Sequence, residues 1–360
     1  MAGFGAFANK RLCDVVFPGT HDAGIYGSEL GSMVKTQNLS IGEQAKAGVR
    51  YFDLRIIKVK TSSGLVQKAY HAPSFSKKED KKLGSYQKAS VVGDVGSERL
   101  SQMLDQARDF VMKNPEEFLI LRFSKCGDTE DVANQCILKL GGERFAANVN
   151  LNVATIASLQ GKVITVFDRG DFNKFPAQLK STPGILPVKA LFNKDGSGHA
   201  EYEPHMWGLQ YFGSYSNTGD VKKNIKKQKK ILSQGPISSP ELLGMMYWTL
   251  TSNWKEGLHK LFSSIEKRDS GMWSSSQQSL VDAWKAGVKD HIVTRAGVLH
   301  QQWRAEGFPP RAINRVSKSF MPNIIMIDFA DHDRCATIWN LNLATEDMIG
   351  RLRDDLLVTG

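Results

Sequence analysis

Short runs of β-branched and aromatic residues recur along the chain, each closing on polar or turn-forming residues and followed by a segment of helical period. This alternation constrains the architecture more than any other feature. The runs end near Gly19, Ile56, His71, Phe123, Phe167, Tyr211, Leu250 and Phe329, eight in all. Helical spacing is expected over residues 41–47 (capped by Asn38 or Ser40), 98–113, 131–140, 221–232, 279–305 and 336–343. In 98–113 the apolar stripe is Leu100, Met103, Leu104, Ala107, Phe110 and Val111, and Asn114-Pro115 ends it. Strands alternating with helices predict parallel βαβ units. Eight such strands close into a (β/α)8 barrel, an α/β fold of the TIM type, distorted here by loop insertions. The 360 residues exceed the ~250 such a barrel needs, and no linker marks a second domain, so residues 1–360 read as one barrel domain.

A barrel of this kind collects its functional residues at the C-terminal strand ends. The first run delivers Thr20, His21 and Asp22 behind Pro18-Gly19. The second carries Asp53 and Arg55 on one face by period-two alternation, the third ends at His71, and the last ends at Asp328. Imidazoles beside carboxylates and a guanidinium are the groups that move protons and hold anions near neutral pH. One catalytic centre is the economical reading of their placement.

The remaining features narrow the partners. A net charge of +10 favours an anionic one. No nucleic-acid reading module is recognisable. Cys13, Cys126, Cys136 and Cys335 lack metal-ligand spacing and read as free thiols. No apolar run approaches the ~20 residues that span a bilayer. The N-terminal segment lacks a basic start and long apolar core, so the expectation is a cytoplasmic protein, or one exported by a leaderless route, peripheral to a membrane. Residues 76–96, dense in Lys, acid, Ser and Gly, read as a mobile surface loop. Lys222, Lys223, Lys226, Lys227, Lys229 and Lys230 form either a solvated helix face or a patch for anionic lipid, with Met272 and Trp273 as a candidate apolar foothold. Asp331, His332 and Asp333 read as a solvated loop.

The ordered motifs Pro18-Gly19-Thr20-His21-Asp22, Thr36-Gln37-Asn38-Leu39-Ser40-Ile41, residues 48–56 and Tyr70-His71 carry a resemblance. They resemble the X domain of phosphatidylinositol-specific phospholipases C, especially the metal-independent bacterial forms, and 322–329 looks like that family's last barrel strand. The resemblance implies cleavage of phosphatidylinositol to diacylglycerol and inositol 1,2-cyclic phosphate. It makes His21 the general base oriented by Asp328, and His71 the general acid paired with Asp22. Arg55 binds the phosphate, and Asp53 fixes Arg55 or lines the site. Lys125, with Arg122 or Ser124 as neighbours, Arg169 and Tyr211 fall where the family contacts the inositol ring. The family's ring carboxylate is absent or displaced, because this chain has Gln210-Tyr211-Phe212 there.

Arg55 and Asp22 match the metal-independent pattern, and an arginine inside a calcium cage would oppose the ion. No cofactor is therefore expected, with calcium the alternative. The expected partner is phosphatidylinositol or a related anionic phospholipid at a membrane surface, met by a monomer. Two other functions fit less of the sequence. One is a phosphodiesterase for another phospholipid or a glycerophosphodiester; the other is a non-catalytic lipid-binding barrel, which would need no paired imidazoles.

Overall fold

In the computed structural model the residues described are 4–26, 35–61, 64–71, 94–142, 149–191, 202–233, 241–250 and 322–343. In chain order the strands are β1 (Phe17–Thr20), β2 (Tyr51–Leu54), β3 (Ile56–Thr61), β4 (Gly64–His71), β5 (Asp94–Arg99), β6 (Leu119–Phe123), β7 (Val163–Asp168), β8 (Ile185–Ala190), β9 (Leu209–Ser214), β10 (Leu243–Trp248) and β11 (Pro322–Ile327). The helices are α1 (Ile41–Ala47), α2 (Leu100–Lys113), α3 (Thr129–Leu140), α4 (Ile156–Leu159), α5 (Arg169–Phe172), α6 (Ala177–Lys180) and α7 (Val221–Ser233), with 332–343 also helical. Eight strands close a barrel in the order β1-β11-β10-β9-β8-β7-β6-β2. Every neighbouring pair in it is parallel.

Two expectations are corrected. The run ending at His71 is not a barrel strand: it is β4, the middle of an antiparallel sheet ordered β3-β4-β5. The turn between β3 and β4 pairs Thr61 with Gly64. Parallel neighbours need a crossover of about a dozen residues, so so short a turn can only make a hairpin. The eighth barrel strand is β8, whose Pro187 hides it from a pattern search. A proline removes a ladder donor, but pairing of β8 with β9 begins only at Val188↔Leu209, just past it. Gly208 lies against Pro187 there; a Cβ on it would stand 2.1 Å from the Pro187 carbonyl oxygen, and its φ is +99°. β9 starts directly after that glycine, at Leu209.

The helices follow their local chemistry. Ser40 and Glu43 form a reciprocal capping box on α1, which ends at Gly48. The six apolar positions expected for α2 are all buried. Asp128 accepts the Asp131 backbone N–H and starts α3. Of the surface features, only 94–96 of the expected 76–96 loop are described, and they belong to β5. The expected helix 279–305, Met272 and Trp273 lie outside the described residues.

At the bottom of the barrel Arg50 donates through Nε to Glu117 Oε2 at 2.9 Å, and Glu117 Oε1 accepts the Phe4 N–H. Both charged side chains are buried. The first and last strands are laced by amides: Asn342 bonds both polar backbone groups of Val16, and Asn323 donates to Cys13 and Val15 carbonyls.

Candidate active site

The site grows from the seam where β1 meets β11. Gly19 pairs with both Tyr51 and Met326, facing them into the barrel, and a Cβ on Gly19 would stand 2.7 Å from the Met326 sulfur. Extending that register by two residues sets His21 between Asp53 and Asp328. The chain then turns sharply. Asp22 has φ +43° and Phe329 +48°, so both strands leave the extended region just past their ends. The break in alternation lets two successive side chains, His21 and Asp22, serve one site. Lys125 makes the same kind of turn after β6, at φ +51°.

Segment 35–41 clamps this seam. Gln37, fully buried, donates through Nε2 to the carbonyls of His21 (3.1 Å) and Ile327 (3.2 Å), and its Oε1 accepts the Ala330 N–H. Thr36 donates its hydroxyl to the Asp22 carbonyl at 2.8 Å. The sequence motif containing Thr36 and Gln37 thus holds the backbones that carry His21 and Asp328.

Five of the expected residues come together: His21, Asp22, Asp53, Arg55 and Asp328, all buried. His21 Nδ1 lies 3.1 Å from Asp328 Oδ1, and Nε2 lies 3.3 Å from Asp22 Oδ2. Carboxylates only accept, so the Nδ1 proton points to Asp328. The other Asp22 oxygen stands 2.9 Å from Arg55 Nε. Burial alone would lower the affinity of His21 for its proton. The Asp22 charge, then the hydrogen bond and charge of Asp328, outweigh it and raise the pKa to about 9, with Arg55 opposing. Asp53 makes no hydrogen bond or ion pair with Arg55 among the described residues, although its charge favours the guanidinium. It accepts the Ser124 hydroxyl at 3.0 Å and faces Arg122 Nη1 at 3.7 Å.

His71 is the last residue of β4, and its side chain lies outside the described residues. Its backbone is beside the mouth, because the preceding Tyr70 N–H donates to the Arg55 carbonyl. Lys125 is exposed past β6, its carbonyl accepting the Tyr70 hydroxyl at 2.5 Å. Arg169 pairs with Glu203 at 2.7 Å. Tyr211 is a buried wall residue, its ring 5.6 Å from the Arg122 guanidinium.

Sequence reasoning named Arg122 only as a neighbour of Lys125 at the ring. Its place was readable once β6 was aligned with β2, since Asp53 and Arg122 are register partners. Burial works against its charge, and the surrounding acidic groups, Asp168 foremost, together hold its pKa above the ordinary value. The lysine run also divides. Lys222, Lys223, Lys226 and Lys230 are exposed, whereas Lys227 is half-buried and donates to the Tyr215 and Ser216 carbonyls.

His21, Asp22 and Asp53 offer ligand atoms within 4.8 Å of one another, a cluster that could hold a cation. The donor set fits calcium poorly. That ion takes 6–8 oxygens, whereas this cluster includes an imidazole and Asp22 already carries the Arg55 guanidinium. The arrangement suits proton transfer beside a held anion.

No protein-family model matches the chain. A curated relative, 1-phosphatidylinositol phosphodiesterase of Listeria monocytogenes, is 24% identical over 166 residues, which cover 43% of this chain and 44% of that protein. The matched part is thus less than half of the relative. Among solved structures, the phosphatidylinositol-specific phospholipase C of Staphylococcus aureus superposes with a TM-score of 0.56 at 16% identity, over 90% of this chain and 88% of that one. The Listeria monocytogenes phosphatidylinositol-specific phospholipase C gives 0.53 at 16% identity, over 92% and 94%. At such identities the likeness is one of fold, the closed parallel barrel.

Proposed function

We propose that the chain is a phospholipase C acting on phosphatidylinositol, with an internal hydroxyl as nucleophile. The observation that carries the reading is His21 held between Asp328 and Asp22, with Arg55 on the far oxygen of Asp22, at the mouth of a parallel barrel. The names of the sequence relative and the structural neighbours support the same substrate.

In the proposed reaction His21, in its neutral form, takes the proton of the inositol 2-hydroxyl. That oxygen attacks phosphorus, the bond to the glycerol oxygen breaks, and the departing oxygen receives a proton from the general acid. His71 takes that acid role in this reading, with Asp22 as the carboxylate linking base, guanidinium and acid. Arg55 offsets charge on the phosphoryl oxygens without reorganisation. Asp328 keeps the imidazole in the tautomer whose Nε2 can accept. Water then opens the cyclic phosphate with the roles reversed. The enzyme works as a monomer at a membrane surface, without a metal.

Phosphorus NMR of phosphatidylinositol digested in chelator tests this. The cyclic phosphodiester signal should appear first and the monoester later. Release of phosphatidic acid, or of monoester with no cyclic species at any time, would overturn the reading. Activity that EDTA abolishes and calcium restores would assign His21, Asp22 and Asp53 to a metal instead.

A further inference from the structure

β11 ends at Ile327, and the next two residues carry the chain from strand into turn. Asp328 is the first, and its carboxylate stands 3.1 Å from His21 Nδ1. Phe329 is the second, at φ +48°, in the left-handed region that a bulky side chain rarely enters. Glycine would take that conformation without penalty, yet the chain places a buried phenylalanine there. A non-glycine residue persists in such a conformation only where its surroundings over-determine it, and such places cluster at functional sites.

The surroundings here are specific. The Ile327 carbonyl accepts from Gln37 Nε2 at 3.2 Å. The next two carbonyls, of Asp328 and Phe329, both accept from one nitrogen, Arg334 Nη1, at 2.9 and 3.0 Å. On the donor side, the Phe329 N–H meets the Thr36 carbonyl at 2.8 Å, and the Ala330 N–H meets Gln37 Oε1 at 3.0 Å. Arg334 lies in the first turn of the helix over 332–343, and its side chain is only 18% exposed. Asp331 aims it. One carboxylate oxygen accepts the Arg334 backbone N–H at 2.8 Å, and the other stands 3.3 Å from Nε. Asp331 thus caps the helix and tethers the guanidinium, which reaches back over the turn.

We propose that Arg334 is a positioning residue for the general base: by clasping the Asp328 and Phe329 carbonyls it fixes the left-handed turn from which the Asp328 carboxylate meets His21. The inference rests on the phospholipase reading above, which gives His21 and Asp328 their roles and gives Arg334 none. The Asp328 carbonyl belongs to the peptide plane that rotates with Asp328 ψ and Phe329 φ, and the Phe329 carbonyl belongs to the next plane. Tying both planes to one planar cation leaves the Asp328 Cα–Cβ direction little freedom. Segment 36–37 holds the turn from the side of β1, and Arg334 holds it from the side of the following helix. The charged groups around His21 are Asp22 at its own strand end, Asp53 and Arg55 from β2 and the residue just past it, and Asp328 after β11. Of these, Arg334 clasps the main chain of Asp328.

The test is a double-mutant cycle on phosphatidylinositol in mixed micelles, with the wild type, Arg334→Met, Asp328→Asn and the double variant. Arg334→Met alone should lower kcat roughly 10- to 100-fold, the scale of a misplacement of about an ångström. KM should stay within about twofold, since no substrate contact is lost. In the Asp328→Asn background the same change should cost less than about threefold, because the group it positions is already gone. A second readout needs no turnover. In protein carrying isotopically labelled histidine, the His21 ring signal, assigned by its loss in His21→Gln, should titrate at a pH about one unit lower in Arg334→Met than in the wild type. Arg334→Lys is the milder variant. Its ammonium can reach the carbonyls but cannot reproduce the guanidinium's planar fork, so kcat should fall roughly 3- to 10-fold. Where Arg334→Met does not fold, Arg334→Lys decides by the same two criteria. Additive losses in the cycle, an unmoved His21 titration, or a loss that falls on KM would overturn the positioning role while leaving the phospholipase reading intact. A wild type that leaves phosphatidylinositol uncleaved would overturn that reading, and the His21 titration would still decide whether Arg334 sets the geometry of the pair.

Discussion

Replacing Asp328 with Asn should separate the two effects that the carboxylate has on His21. The pair stands at 3.1 Å, and Asp22 sits at 3.3 Å on the other ring nitrogen. At an effective permittivity near 20, a unit charge at such a distance contributes about 5 kcal/mol to holding the imidazolium. Two of them outweigh burial and place the pKa at about 9. Losing one should lower it by roughly three units, since one unit is 1.36 kcal/mol and part of the gain is screened. At pH 7 a group titrating near 9 is neutral about one time in a hundred, so the competent-base factor in wild-type kcat/KM, taken from a fit that includes the general acid's own limb, should climb roughly 50-fold between pH 7 and 9. In Asp328→Asn the same interval should show less than about a twofold rise, while the plateau falls by ~10²–10⁴ because the imidazolium formed in the reaction loses its partner.

Stability should move the opposite way. His21 gains affinity for its proton on folding, so its contribution is complete below the unfolded value of 6.5 and disappears as pH rises through about 9. At neutral pH that is about 3 kcal/mol, which Asp328→Asn should largely remove. The assays are kcat/KM against pH on a soluble short-chain substrate, and urea midpoints at matched pH. A variant whose acid limb stays near pH 9 would refute the argument, because Asp328 would then not set the affinity of His21.

Arg55→Lys should lose at least ~100-fold in kcat with EDTA inert towards the wild type, since Lys keeps the charge but not the guanidinium's fixed donors; half of the wild-type rate would show that the fork is dispensable. Glu117→Ala should cost about 3–5 kcal/mol in denaturant unfolding, because it strands the buried Arg50 charge and the Phe4 N–H; a loss below about 1 kcal/mol would mean water reaches Arg50. Neutralising Lys222, Lys223, Lys226 and Lys230 should weaken binding to anionic vesicles and its salt dependence, yet spare turnover of a soluble substrate. Equal losses on both would tie the helix face to the site.

The fold was legible where local chemistry and tertiary need agree. Helix α1 falls on the expected 41–47 because Ser40 and Glu43 cap it and Gly48 ends it. It was illegible where pairing decides. Nothing within the 65–71 run says whether its neighbour runs parallel; the short turn at 61–64 did say so, and counting its residues would have removed β4 from the barrel. β8 was lost to Pro187, tolerated only because the ladder on one side starts a residue later. In the site, His21, Asp22, Arg55 and Asp328 were readable because each stands at or just past a strand end. Arg122 was readable only as a neighbour of Lys125, since a charged residue inside a buried run becomes interpretable when its register partner is known to be an aspartate. Gln37 stood in a quoted motif without a role, because its three bonds all go to backbone, which no side-chain pattern reveals.

Those backbone bonds bear on why the site sits where it does. His21 and Asp328 are 307 positions apart, yet they meet because β1 and β11 close the barrel. A closing seam is the costliest contact to form in chain entropy, and the last to be repaid. Here it is held by the amides Asn342, Asn323 and Gln37, each bonded to main-chain groups, and by Arg334, whose Nη1 donates to the Asp328 and Phe329 carbonyls. Arg334 is itself paired with Asp331 at 3.3 Å, and the proton affinity of His21 depends on a balance of Asp22 and Asp328 against burial and Arg55. These clasps hold the backbone, while that balance is left to the four groups that use it. The separation of duties also accounts for Arg50 and Glu117, the buried ion pair, lying at the opposite end of the barrel. There a strong local field can anchor the N-terminal segment without shifting the titration of the base.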